Sequence, residues 1–153
     1  PGQLGLWDAE KGVLISADHI LAKISPNIGL WDFKADYLGV FMKNLHKVKN
    51  MPVKILLSAH RQQIENVNQR IDELLLHHEN RLNEACEILA QGEKCVYDVS
   101  RLMKWDYSGG DFDSFPPMQK WFASMEVFAH LEHLYRIGRA KRKIVGEVYR
   151  YCL

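Results

Sequence analysis

Two segments of this sequence place metal-binding side chains directly behind short apolar runs. Asp18 and His19 follow the run at residues 13–16, and His60 follows the run at residues 53–58. Functional groups in open α/β sheets collect beyond the carboxyl ends of strands. A carboxylate and an imidazole that meet there suit Zn²⁺, although zinc usually takes at least three protein ligands. The alternative from spacing alone is that Asp18 ends a strand and His60 caps a loop.

The other histidines are predicted to be structural or solvated. His46 lies among lysines, and His77 and His78 lie beside acidic residues within a helical pattern. His130 and His133 are three residues apart, but their neighbours are of core-forming types. We therefore expect none of these five side chains to bind a metal.

The elements that must position Asp18 and His60 are predicted to form an α/β unit. The runs at residues 3–8 and 13–16 flank a turn that ends in glycine, which is typical of a β-hairpin. Behind Asp36, a favourable N-cap, apolar residues recur at helical spacing through residues 38–48. This helix would connect residues 13–16 to residues 53–58, as in a βαβ crossover.

The second half has a mainly helical pattern. One long helix is predicted over residues 62–91, with a bend or a break somewhere between Ile64 and His77. Shorter helices are predicted at residues 95–105 and 118–137, and the tail at residues 141–152 favours a β-hairpin. Helix, helix, helix and hairpin is the order of a winged-helix unit.

Composition limits the classes of function. The chain has 153 residues, 47% of them hydrophobic and 25% charged, as expected for one globular domain or two small ones. The 20 basic and 19 acidic residues nearly cancel, so no overall field favours a polyanionic partner. No apolar run is long enough for a membrane span, and no secretory signal is visible. Three cysteines at unrelated spacings indicate reduced thiols in a cytoplasmic protein.

Three ordered segments resemble the latter half of a metallo-β-lactamase-fold zinc hydrolase of the glyoxalase II-like type. Residues 1–8, 14–20 and 55–60 stand where that family has a PGH segment, a GDH motif and a terminal PGHG motif. The remainder resembles the winged-helix domain that is appended in one branch of the superfamily. The resemblance implies an α/β half of the metallo-β-lactamase fold at residues 1–72, followed by a mainly α winged-helix-like domain at residues 73–153.

The resemblance also implies roles for individual residues. Asp18 matches the aspartate that bridges two zinc ions, and His60 matches the last histidine ligand. His19 matches a neighbouring position that supports the ligands or faces the substrate. Ala17 and Ala59 stand where the family has glycine. Because the HxHxDH motif with the main ligands is absent, the resemblance implies a fragment of a hydrolase that is inactive alone.

Two alternatives remain open. The tail from Arg136 onward is basic, so a winged-helix module could contact nucleic acid, RNA in preference to duplex DNA, or another protein. The helix at residues 118–137 lacks the Arg, Asn and Gln array that reads bases. The second alternative is assembly, since half of a two-sheet fold exposes an apolar sheet face. A homodimer or the missing N-terminal half would cover that face, which is predicted to contain Leu4, Leu6, Leu14, Ile55 and Leu57.

Overall fold

The computed structural model describes residues 3–60, 63–106 and 111–153, and the chain divides into two compact units. The first unit comprises the chain up to Pro26 together with Val40–His78, and the second comprises Asn27–Gly39 together with Glu79–Leu153. The predicted boundary after residue 72 stays a prediction; in the structure the later division between the units falls after His78, and Asn27–Gly39 groups with the second unit. The start of the PGH-like segment and the predicted helix start at residue 62 lie outside the described residues.

The described residues form a mixed α/β structure, which confirms the predicted class. The helices are α1 (Tyr37–Lys49), α2 (Val67–Leu89), α3 (Val96–Leu102), a short 3-10 helix (Phe112–Ser114) and α4 (Pro117–Arg136). The strands are β1 (Leu6–Asp8), β2 (Val13–Ala17), β3 (Ile55–Ser58), β4 (Lys94–Cys95), β5 (Lys141–Val145) and β6 (Val148–Cys152). In the part of the chain described, no helix has the length and apolarity needed to cross a membrane.

The first unit contains a sheet with the strand order β1-β2-β3. Strands β1 and β2 pair antiparallel, whereas β2 and β3 pair parallel with α1 in the connection between them. The predicted hairpin and the predicted βαβ crossover are both confirmed. Helix α1 begins where expected, because Asp36 Oδ1 accepts a hydrogen bond of 2.9 Å from the Gly39 amide.

The two faces of this sheet differ in burial. Leu14 and Leu56, which are paired in register, are 5% and 2% exposed and belong to the core. On the opposite face, Leu6, Ile15 and Leu57 form a row of paired residues that are 60%, 44% and 48% exposed. The prediction that Leu14 is bare was therefore wrong, because side chains alternate between faces along a strand.

Helix α2 is shorter than predicted and has no break between Val67 and Leu89. It begins after Asn66, whose side-chain oxygen accepts a hydrogen bond of 3.0 Å from the Gln69 amide. Gly92 follows its end with φ of +117°, a conformation that suits glycine at a helix C-terminus. The interruption that the sequence suggested therefore does not occur between Val67 and Leu89.

The second unit contains the end of α2 followed by β4, α3, α4, β5 and β6, with a sheet in the order β4-β6-β5. Strand β4 has only two residues and was not predicted, whereas the β5–β6 hairpin was. The core of this unit includes Leu82, Leu89, Val99, Phe112, Leu131, Leu134 and Tyr151.

A buried carboxylate joins α4 to this hairpin. Glu132 is 2% exposed, and its Oε2 accepts a hydrogen bond of 2.6 Å from Arg142 Nη1. Its Oε1 accepts a second bond of 2.6 Å from the hydroxyl of Tyr151, which is fully buried. Burial and the bond to Glu132 raise the pKa of Tyr151, so this phenol remains a neutral donor.

The segment Asn27–Gly39 lies on α4 within the second unit. The Leu30 amide donates a hydrogen bond of 3.2 Å to the Met125 carbonyl. Asp36 Oδ2 lies 2.8 Å from Nδ1 of His133, a ring that is 8% exposed. These contacts explain why this segment, which has no helix or strand before α1 begins, groups with the second unit and not with the strands that flank it in sequence.

Candidate functional site

Asp18 and His60 meet beyond the carboxyl ends of two parallel strands. Asp18 directly follows β2, and His60 lies two residues after β3, its neighbour in the sheet. Asp18 Oδ1 is 3.2 Å from His60 Nε2, and the two side chains are 51% and 70% exposed. The structure thus brings together the two residues that the sequence selected as metal ligands. Their role in binding a metal stays a prediction.

The approach of Asp18 to His60 depends on an unusual backbone conformation at Ala17. The register between β2 and β3 shifts between Ile15 and Ala17, and Ala17 has φ of +48°, in the left-handed region. The Ala17 carbonyl accepts a hydrogen bond of 3.2 Å from the Ala59 amide, which ties together the two strand ends. Glycine adopts a left-handed conformation easily. This sequence has alanine at position 17, where the resemblance noted above has glycine.

Replacing Ala17 with glycine is expected to stabilise the chain. The left-handed conformation costs a non-glycine residue about 1–2 kcal/mol. Glycine avoids this cost but loses more backbone entropy on folding, which lowers stability by about 0.5–1 kcal/mol. We therefore expect A17G to raise the free energy of unfolding in urea by about 0.5–1 kcal/mol. The matched control is A59G, because Ala59 does not have a positive φ and should lose stability. A loss of stability in A17G would contradict the conformation at Ala17.

His19 contacts helix α1. Its ring centroid lies 5.2 Å from that of Phe41 in an edge-to-face arrangement, and its ring hydrogen-bonds the Phe41 backbone. Burial lowers the pKa of His19, and the bond to Phe41 opposes this shift. His19 Nε2 is buried and has no hydrogen-bond partner among the described residues. His19 therefore anchors the turn that carries Asp18, and its predicted place beside ligands or substrate stays a prediction.

Asp18 and His60 are of the residue types that bind zinc, but two side chains are too few to form a zinc site. A carboxylate oxygen and an imidazole nitrogen are both zinc donors. The Asp18 Oδ1 atom is buried, and among the described residues its polar neighbour is His60 Nε2 at 3.2 Å, without hydrogen-bond geometry. Within residues 3–60, 63–106 and 111–153, however, no group of three or more His, Cys, Asp or Glu side chains could hold a metal ion. A complete site needs further ligands.

The structure gives His130 and His133 packing roles. His130 Nδ1 lies 2.8 Å from the Glu126 carbonyl of its own helix, and His133 pairs with Asp36. Both rings are within the core of the second unit, at 1% and 8% exposure. These contacts occupy one nitrogen of each ring.

Sequence reasoning missed Arg70, whose side chain contacts the loop that follows Asp18. Arg70 Nε donates a hydrogen bond of 2.7 Å to the Leu21 carbonyl. The only signal in the sequence was a basic residue near the start of α2, where the helix dipole disfavours positive charge.

Acidic partners in the second unit pair with much of the basic tail. Glu132 binds Arg142, and Glu93 lies within 4 Å of two further basic side chains, Lys143 and Arg150. Arg139 lies 3.5 Å from Glu79. This pairing reduces the positive potential that a nucleic-acid backbone would meet, which weighs against the nucleic-acid alternative.

Solved structures similar to this chain are metallo-β-lactamase family proteins. A β-lactamase domain protein from Burkholderia ambifaria aligns with a TM-score of 0.85 and 28% identity, over 97% of this chain and 43% of its own. A metallo-β-lactamase family protein from Thermus thermophilus aligns with a TM-score of 0.77 and 32% identity, over 97% of this chain and 44% of its own.

The chain therefore has the fold of part of such proteins, spans less than half their length, and is placed by these matches in their superfamily. No protein-family model matches the chain, and no curated protein does either.

Proposed function

We propose that this chain is the C-terminal part of a zinc-dependent hydrolase of the metallo-β-lactamase superfamily, with Asp18 and His60 among its metal ligands. The observation that carries the proposal is the contact between these side chains at the ends of β2 and β3, in a chain with this fold. Asp18 would hold the metal through its carboxylate and His60 through its imidazole nitrogen. The remaining ligands would come from residues outside this chain.

The chemistry at this site would be hydrolysis. When bound, a pair of zinc ions supplies an activated water and stabilises developing negative charge on the substrate. Asp18 contributes a carboxylate whose direction is set by the left-handed turn at Ala17. His60 would contribute an imidazole nitrogen, which lies 3.2 Å from Asp18 Oδ1 beyond the end of the sheet. His19 supports the turn from behind through its contact with Phe41.

Two residues cannot assemble this chemistry alone, so we propose that the isolated chain is inactive. The test is to purify the chain, measure its zinc content, and assay hydrolysis of thioester, lactone and phosphodiester substrates. We expect less than stoichiometric zinc and no hydrolysis above background. Stoichiometric tight zinc together with robust hydrolysis would reject the proposal that ligands are missing.

We further propose that the second unit is a winged-helix-like domain. The support is its order of elements, α2, β4, α3, α4 and then the β5–β6 hairpin, with β4 pairing on β6. In this arrangement α4 takes the place of the recognition helix. Because Arg142, Lys143 and Arg150 of the hairpin lie beside Glu132 or Glu93, we propose a structural or protein-binding role for this domain and not nucleic-acid recognition.

We propose that the exposed face of the first sheet is covered by the rest of the fold in a longer protein. The row of Leu6, Ile15 and Leu57 continues into Leu4 and Ile55, which are 72% and 47% exposed. Exposed apolar patches of this kind mark interfaces. The matched structures contain more than twice the length of this chain, which is enough to supply the covering layer.

The isolated chain is therefore expected to self-associate through this face. Light scattering over a concentration series should report a mass above that of the monomer, and I15K should restore the monomer because lysine charges the middle of the row. The control is V145K, which makes the same kind of change at a residue of similar exposure in the second unit. A strictly monomeric unmodified chain at high concentration would contradict the expectation.

A further inference from the structure

Arg70 uses all three of its guanidinium nitrogens as donors. Nε donates to the Leu21 carbonyl at 2.7 Å, Nη2 to the Ile24 carbonyl at 3.1 Å, and Nη1 to Glu73 Oε2 at 2.9 Å. The side chain is 14% exposed. The planar guanidinium thus bridges two backbone carbonyls of a loop, while a carboxylate on the same helix turn holds its third edge.

The position of this arginine is unfavourable for its own helix. Arg70 is the fourth residue of α2, whose first turn contains no acidic residue to offset the positive end of the helix dipole. Glu73, one turn later, places a negative charge beside the Arg70 guanidinium. The hydrogen bonds that its carboxylate accepts from Arg70 and Gln69 hold the pKa of this carboxyl below its usual range. A residue that breaks a local preference and yet makes three bonds usually serves the surrounding structure.

The loop that Arg70 contacts has no regular secondary structure. Residues 18–26 contain no helix or strand, so no ladder of backbone hydrogen bonds fixes their carbonyls. Arg70 supplies partners for Leu21 and Ile24. Leu21 itself is 4% exposed, so the loop is fixed there by packing as well as by the hydrogen bond.

This clamp lies close to Asp18 along the chain. Leu21 is three residues beyond Asp18, a reach of at most about 11 Å for an extended chain. On the other side of Asp18, Ala17 is tied to Ala59. Asp18 therefore lies on a short segment with both ends held, and Arg70 makes two of the bonds on the loop side.

We propose that Arg70 is a positioning residue for Asp18, whose clamp on the following loop holds the Asp18 carboxylate opposite His60. The inference rests on the proposed function for its chemical purpose, but the clamp itself can be tested without a metal.

The first test measures backbone order by NMR relaxation in the 153-residue chain. R70K keeps the positive charge but replaces the planar fork by a single nitrogen on a flexible stem, so it cannot hold the Leu21 and Ile24 carbonyls in the geometry that two separate guanidinium nitrogens set. Order parameters of residues 18–24 are expected to fall from about 0.85 to below about 0.6 in R70K. The control is D72N. Asp72 lies on α2, as Arg70 does, and it pairs with Lys49 of α1 and not with the loop. Unchanged order parameters of residues 18–24 in R70K, or an equal decrease of these order parameters in D72N, would overturn the proposal.

The second test titrates Co²⁺ and follows paramagnetic changes in the signals of residues near Asp18 and His60, at a temperature where all variants are folded. We expect weak binding that D18N abolishes and that R70K weakens by about tenfold, as removal of supporting contacts does at metal sites. D72N should bind as the unmodified chain does. Equal affinity in R70K and the unmodified chain would overturn the positioning role. If D18N leaves Co²⁺ binding unchanged, the proposed function fails, and the order parameters alone decide whether Arg70 clamps the loop.

Discussion

Replacing Asp18 with asparagine is expected to lower metal-dependent hydrolysis by about 10²–10³-fold once this chain completes a metallo-β-lactamase fold. A metal-bound site contributes several kcal/mol of transition-state stabilisation, and each 1.36 kcal/mol corresponds to a tenfold change in rate. An amide in place of the carboxylate removes the negative charge that would bridge two cations. The loss should therefore appear in the rate as well as in metal content.

The measurement uses a chimera in which this chain replaces the matching 44% of the Thermus thermophilus protein. Zinc content of the folded chimera gives a readout that needs no knowledge of the substrate, and H60Q should reduce it as D18N does. The matched control is E10Q, which neutralises an exposed carboxylate in the turn between β1 and β2. A D18N chimera with the zinc content and hydrolysis of its parent would show that Asp18 is not a ligand.

The meeting of Asp18 and His60 could be predicted because it follows from topology. Once residues 13–16 and 53–58 are taken as parallel strands joined by a helix, their carboxyl ends lie at one edge of the sheet. The sequence could not give the 3.2 Å distance, since that depends on the left-handed Ala17 and the shifted register beside it. Alanine seldom adopts a positive φ, so the residue type at position 17 did not predict this conformation.

The parts of the fold that sequence reasoning missed depend on contacts between distant residues. Strand β4 has two residues, too few for any periodicity, and it exists because it pairs with β6. Residues 27–35 have no regular pattern, and the place of Asn27–Gly39 in the second unit depends on α4, about 90–100 residues away. The start of α2 was predicted too early because apolar spacing continues through Ile64, which is buried without being helical.

Replacing Glu132 with alanine is expected to destabilise the second unit by about 3–5 kcal/mol, since removing one partner of a buried ion pair leaves the other charge buried and unpaired. Arg142 would lose the acceptor at 2.6 Å, and the Tyr151 hydroxyl would be left buried without a partner. Tyrosine cannot relieve this by ionising, because burial already raises its pKa. Urea unfolding followed by tryptophan fluorescence measures the loss, since Trp31, Trp105 and Trp121 all belong to the second unit.

A double-mutant cycle separates the network from the simple loss of side-chain volume. Y151F alone should cost about 1.5–3 kcal/mol, the range for a hydrogen bond to a charged group. E132A should then lower the free energy of unfolding less in the Y151F background than in the unmodified chain, because no tyrosine hydroxyl remains that could be left without a partner. E147A, which removes an exposed carboxylate from the β5–β6 turn, should change stability by no more than about 0.5 kcal/mol. Strict additivity of E132A and Y151F would mean that Glu132 does not couple α4 to the hairpin through Tyr151, leaving Arg142 as the link between them.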